Sequence, residues 1–124
     1  LESNTVEVAR RDTFEKQTIS QEGVVDFVAD LLVEIQENLF ERALSYRNDH
    51  ITKADTFEEF KDAIENKGGF VSAHWDGTNE SEEAIKKDTK ATIRCIPLDN
   101  EQEAGVCVFS GNPSLQRVLF AKSY

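Results

Sequence analysis

Gly68-Gly69-Phe70-Val71-Ser72-Ala73-His74-Trp75-Asp76-Gly77, residues 68–77, decides the fold. Paired glycines accept the left-handed backbone that a helix terminus asks for, so they stop the helix that precedes them. Phe70, Val71 and Ala73 read as a strand leading into His74-Trp75, and Asp76-Gly77 makes the turn after it. Upstream, Thr56-Phe57-Glu58-Glu59 is a capping box, which predicts a helix from there to about Asn66. Downstream, Asn79 with Glu82 predicts a short helix ending near Asp88. Ala91 to Ile96 then reads as a strand that Pro97 ends by removing a ladder donor. Beyond the polar loop Asp99 to Gly105, Val106 to Phe109 and Val118 to Ala121 read as two last strands. The turn signal Ser110-Gly111-Asn112-Pro113 separates them.

On the N-terminal side, Val6, Val8 and Ala9 predict a short half-buried strand, followed by a polar turn over Arg11 to Lys16. Ile19-Ser20 is expected to open a helix, with Ser20 as cap, Ile19 stapled onto Val24 and Glu22 in the first turn. Val24, Val28, Leu31, Leu32, Ile35, Leu39 and Ala43 recur every three or four residues. They give one apolar face to a helix about 39 Å long that runs to Tyr46. The order of elements favours an α+β fold: a two-layer sandwich, a mixed β-sheet with helices on one face, preceded by the long helix.

The 124 residues, 39% of them apolar, can bury one sizeable core. A net charge of −10 argues against a free-standing nucleic-acid or acidic-membrane binder. The charge is uneven, −12 over residues 1–85 and +2 over residues 86–124, so the last third is the more approachable for an acidic partner. No apolar run nears the roughly 20 residues that span a bilayer, and no signal peptide opens the chain. The chain reads as cytoplasmic, with Cys95 and Cys107 as reduced thiols. Beginning at Leu1 and containing no Met, it reads as a piece of something longer.

Residue types alone point to no catalysis. His50 and His74 sit in no hydrolase motif, and Gly68-Gly69 lacks the glycine and lysine spacing of a phosphate loop. Glu34, Glu37 and Glu41 make a solvated helix face, with none of the alternating ligands of a calcium loop. Two cysteines and two histidines, unpaired in spacing, do not announce zinc.

A resemblance goes further. Lys67-Gly-Gly-Phe-Val-Ser-Ala-His-Trp75, Thr89-Lys-Ala-Thr-Ile-Arg-Cys-Ile-Pro97 and Arg117-Val-Leu-Phe-Ala-Lys-Ser-Tyr124 together resemble the C-terminal domain of archaeal- and eukaryotic-type prolyl-tRNA synthetases. Val6-Glu-Val-Ala-Arg-Arg-Asp-Thr13 with Glu15-Lys16 is similar to the segment closing that family's anticodon-binding domain. Glu34-Ile-Gln-Glu-Asn-Leu39 is similar to the helix leading out of it. The resemblance divides the chain into residues 1–19, the closing strand and linker, and residues 20–124, the C-terminal domain with its leading helix.

It implies a class II synthetase that uses ATP and Mg to attach proline to its tRNA, as a cytoplasmic homodimer, with every catalytic and cofactor site outside these residues. Four family zinc cysteines fall on Asp76, Ser81, Cys107 and Ser110, which implies a zinc-less variant whose two loops are held by packing and hydrogen bonds instead. His74 is the further side chain that a residual metal could use. The terminus is expected to dock on the catalytic domain through Tyr124, Lys122 and Arg117, and Arg10, Arg11 and Lys16 to touch the tRNA backbone. Phe14 stands where the family usually has glycine, and no anticodon-reading aromatic platform is evident. The alternative reading is a stand-alone, non-catalytic module derived from the same domain, binding protein or tRNA.

Overall fold

A computed structural model describes residues 3–122 of the chain, which divide into two compact units that meet between Arg47 and Asn48. In the first unit, β1 (Thr5–Ala9) pairs antiparallel with β2 (Lys16–Ser20), and α1 (Val24–Asp49) carries the chain to the boundary. β2 replaces the expected helix start at Ile19-Ser20. Ile19 lies opposite Val6 in the ladder, and the Ser20 hydroxyl accepts the Glu22 amide, as a turn residue rather than a cap. One apolar residue among five gives β2 too weak an alternation to read, and its partner strand supplies the order.

α1 has the expected length, but its covered side is shifted. Leu31 is buried and Val24, Phe27, Ile35, Asn38 and Leu44 are half-covered, whereas Leu32 and Leu39, assigned to the inner face, are 62% and 48% exposed. Leucines recur on two sides of this helix, so periodicity alone could not choose between them. The compact units place α1 with the hairpin, where a boundary at 19/20 was expected.

The second unit is built on a mixed four-stranded sheet of order β3-β4-β8-β5: β3 (Ile51–Lys53), β4 (Phe70–His74), β5 (Ala91–Cys95) and, last in the chain, β8 (Arg117–Lys122). β3 runs parallel to β4, and β8 is antiparallel to both of its neighbours. Three-residue β3 escaped the sequence reading. Two tiny strands, β6 (Gly105–Val106) and β7 (Pro113–Ser114), make a separate ribbon. Val108 is buried but in a turn, so the strand expected over residues 106–109 ends after two residues.

α2 (Phe57–Asp62) begins at the predicted capping box: Thr56 accepts the Glu59 amide and Glu59 accepts the Thr56 amide. It continues as a π-helical turn, Ala63–Lys67, and stops at Gly68. A Cβ on Gly69, whose φ is +75°, would lie 2.4 Å from the His50 carbonyl oxygen, so only glycine fits where β4 starts. α3 (Asn79–Thr89) is capped one residue earlier than expected, by Thr78, and leaves through Lys90 in a left-handed conformation. Phe60, Ala63, Ile64 and Ile85 from the helices pack on Val71, Ala73, Ala91, Val118 and Phe120 of the sheet, with the Phe60 and Phe120 rings edge to face at 5.0 Å. The α+β architecture with one helical layer follows from that single core.

Candidate functional site

The four positions assigned to zinc ligands by resemblance fall at one end of the second unit. Asp76 is their hub. Its Oδ1 accepts the Ser81 hydroxyl at 2.6 Å, the Thr78 hydroxyl at 2.8 Å and the Thr78 amide at 3.1 Å. Its Oδ2 accepts the Ser110 hydroxyl at 2.5 Å and the Asn112 side-chain amide at 3.2 Å. Ser81 also accepts the Trp75 indole N–H at 3.0 Å. Partial burial pushes the Asp76 carboxyl up, but the hydroxyls of Ser110, Ser81 and Thr78 outweigh it and hold the group well below the ordinary carboxylate range. Cys107 lies buried in the second loop, where its amide donates to the Asn112 carbonyl and its carbonyl accepts from Gly111. One carboxylate thus joins the turn before α3 to the turn between β6 and β7. Asp76, Ser81 and Ser110 are brought together by these bonds, while Thr78 and Asn112 were missed; their signal was only the turn composition of Asp76-Gly77-Thr78 and Ser110-Gly111-Asn112.

This donor set does not fit a zinc ion. The two serine hydroxyls donate to Asp76 and so keep their protons, both carboxylate oxygens are engaged, and Cys107 offers one thiol where a closed site wants four soft or nitrogen ligands. His74 is directed elsewhere, its Nδ1 3.1 Å from the Ser114 hydroxyl oxygen. Among the described residues no group of three or more His, Cys, Asp or Glu side chains gathers as metal ligands do.

Ser114, His74 and Glu103 form a line that superficially resembles a serine nucleophile with its base and acid. The chemistry runs the wrong way. Ser114 donates its hydroxyl proton to the Gln116 carbonyl at 2.9 Å and therefore accepts from His74. His74 is buried, and a Cβ on Gly105 would sit 2.4 Å from its Nε2, so the backbone seals the ring from any substrate. Glu103, 3.7 Å from Nε2, is committed to Arg117.

Arg117, expected at a docking surface, is buried at the start of β8. Its Nε and Nη2 donate to the two Glu103 oxygens at 3.0 and 3.2 Å, Nη2 also donates to Asp55, and Nη1 reaches the carbonyls of Ala54 and Ser72. The guanidinium is held within the unit by these bonds. Burial lowers the Arg117 pKa, but Glu103 and Asp55 raise it by more; their own carboxyls are held low chiefly by the hydrogen bond from Arg117. Lys122 is exposed at the far end of β8, beside a cleft of about 900 Å³ also lined by Ile64, Phe70, Arg94 and Ala121. Tyr124 lies outside the described residues.

In the first unit, Arg10, Arg11 and Lys16 part company. Arg10 clasps Asp12 with Nε and Nη2 at 3.1 and 2.8 Å and reaches Glu34 of α1 at 2.9 Å. Asn38 donates to the same Asp12 carboxylate at 2.7 Å, and Arg42 to the Asp12 carbonyl at 3.1 Å. The Asp12 carboxyl is held far below its ordinary range, chiefly by Arg10. Arg10 is thus a brace between hairpin and helix, whereas Arg11 is exposed on the hairpin loop and Lys16 is exposed at the start of β2, its Nζ 3.9 Å from Glu7. The turn between β1 and β2 is closed by the Arg10 amide on the Glu15 carbonyl, with Phe14 at φ +64°.

A family model described as "Prolyl-tRNA synthetase, C-terminal" matches residues 57–124. All 124 residues align with the proline–tRNA ligase of Flavobacterium johnsoniae at 62% identity, with that of Flavobacterium psychrophilum at 58% and with that of Porphyromonas gingivalis at 56%. The chain spans 25% of the length of each of these curated relatives.

Proposed function

The chain belongs to the prolyl-tRNA synthetase C-terminal domain family, and we propose from that membership that it is the C-terminal accessory part of a proline–tRNA ligase. It supports the ATP-dependent attachment of L-proline to its tRNA. The observation that carries this reading is identity of 62% over every residue of the chain with one quarter of a proline–tRNA ligase. Proline, ATP and Mg are handled in the remaining three quarters.

Its partners in this reading are the catalytic and anticodon-binding domains of the same polypeptide, tRNA through them, and a second copy in a cytoplasmic homodimer. Docking runs through Lys122 and Tyr124, with Arg117 as the brace that fixes β8 rather than as a contact. Arg11 and Lys16 meet tRNA phosphate, and Arg10 holds their loop. The Asp76 clamp does for the two loops what a zinc ion would do in relatives with four cysteines.

Truncating the full-length protein before Lys122 tests the reading. A fall in kcat/KM for prolylation of about tenfold or more, with the protein still folded by circular dichroism, is expected. Unchanged kinetics would remove the terminus from the mechanism.

A further inference from the structure

Phe14 occupies a backbone that its side chain does not favour. At φ +64° its Cβ crowds the neighbouring carbonyl, a conformation left to glycine or asparagine in most turns. Burial does not compensate, because the ring is 85% exposed. The loop around it is tightly held: the Arg10 amide donates to the Glu15 carbonyl at 2.8 Å, and Arg10, Asn38 and Arg42 fasten Asp12 to α1. A strained residue that a rigid surround holds outward is a signature of function rather than of packing.

The surround identifies the partner's chemistry. Arg11 and Lys16, both exposed, lie three residues before and two after the ring, and Thr13 and Glu15, its direct neighbours, hydrogen-bond each other at 3.2 Å. A protein hot spot sits among other packed contacts that exclude water from it, and this lone exposed ring has only polar neighbours. A nucleobase needs one aromatic face with cations nearby for its phosphates.

We propose that Phe14 is a stacking contact for an unpaired base of tRNA, with Arg11 and Lys16 meeting the adjoining phosphates. The proposal rests on the tRNA-ligase reading and adds to it a base-contacting residue.

The test uses the full-length protein with Phe14→Ala, Phe14→Gly and Phe14→Trp, measuring tRNA affinity at fixed salt, the KM for tRNA and the melting temperature. Alanine and glycine are expected to weaken tRNA binding about tenfold and to raise KM for tRNA in parallel, while tryptophan retains it. Glycine should at the same time leave the melting temperature unchanged or raise it, a combination that a merely structural role for the ring does not produce. Affinities within twofold of wild type for alanine and glycine would overturn the contact, and a changed oligomeric state in their place would assign Phe14 to a protein surface. Wild-type protein that neither binds nor charges tRNA would instead overturn the underlying reading.

Discussion

Asp76 shows how much one carboxylate can organise. Five donors converge on its two oxygens, and they come from both loops. Asp76→Asn keeps one acceptor oxygen and turns the other into an amide that donates, so either the Ser81 and Thr78 hydroxyls or the Ser110 hydroxyl and the Asn112 amide then face a donor. We expect it to cost about 2 kcal/mol in chemical denaturation, and Ser110→Ala about half of that. Because no set of zinc ligands is assembled around Asp76, purified protein should carry far less than one zinc per chain by mass spectrometry, and a chelator should leave its melting temperature unchanged. Stoichiometric zinc would contradict this account of the clamp. The clamp was only partly readable beforehand. Residue types at the four aligned positions said that thiolates were missing, but nothing in the spacing said that Asp76 would receive Asn112, because that pairing spans 36 positions and depends on how β7 returns.

At the scale of elements, β8 is fixed at its start by a buried guanidinium as well as by the apolar packing of Val118 and Phe120. Arg117 joins β8 to the Glu103 loop, to Asp55 before α2 and to the carbonyls of Ala54 and Ser72. Arg117→Met should destabilise the protein by about 2 to 3 kcal/mol, since both carboxylates lose their counter-charge, and the exposure of each to solvent keeps the loss below that of a fully buried pair. Thr56→Ala, which opens the capping box of α2, should cost about 1 kcal/mol. These elements differ in how plainly the sequence announces them. The Thr56 box and the Gly68-Gly69 stop are local devices whose chemistry is complete within a few residues, and both occur where expected. β2 and β3 are short and polar, and they become strands only because β1 and β4 offer them a ladder. Arg117 misled for a related reason: a charged residue near the chain's end reads as a surface contact until the loops that cover it are placed.

For the whole chain, four carboxyls in two units, Asp12, Asp55, Asp76 and Glu103, are held below their ordinary values by hydrogen bonds. Each therefore contributes stability that is complete above the unfolded carboxylate range, near 4, and is lost as pH falls through the folded value. The denaturation midpoint should hold from pH 7 to about 5 and fall steeply below about 4. A midpoint that held or rose on acidification below 4, where the chain is already net positive, would contradict this account. No helix among the described residues is long and apolar enough to cross a membrane.

The central claim, that this chain is an accessory part of a proline–tRNA ligase, is tested most directly by aminoacylation with labelled proline, comparing full-length protein with the 124-residue chain alone. The account predicts that the full-length protein charges tRNA with proline in an ATP-dependent reaction and that the isolated chain does not. Full-length protein that fails to charge tRNA, or an isolated chain that charges it, would contradict the account.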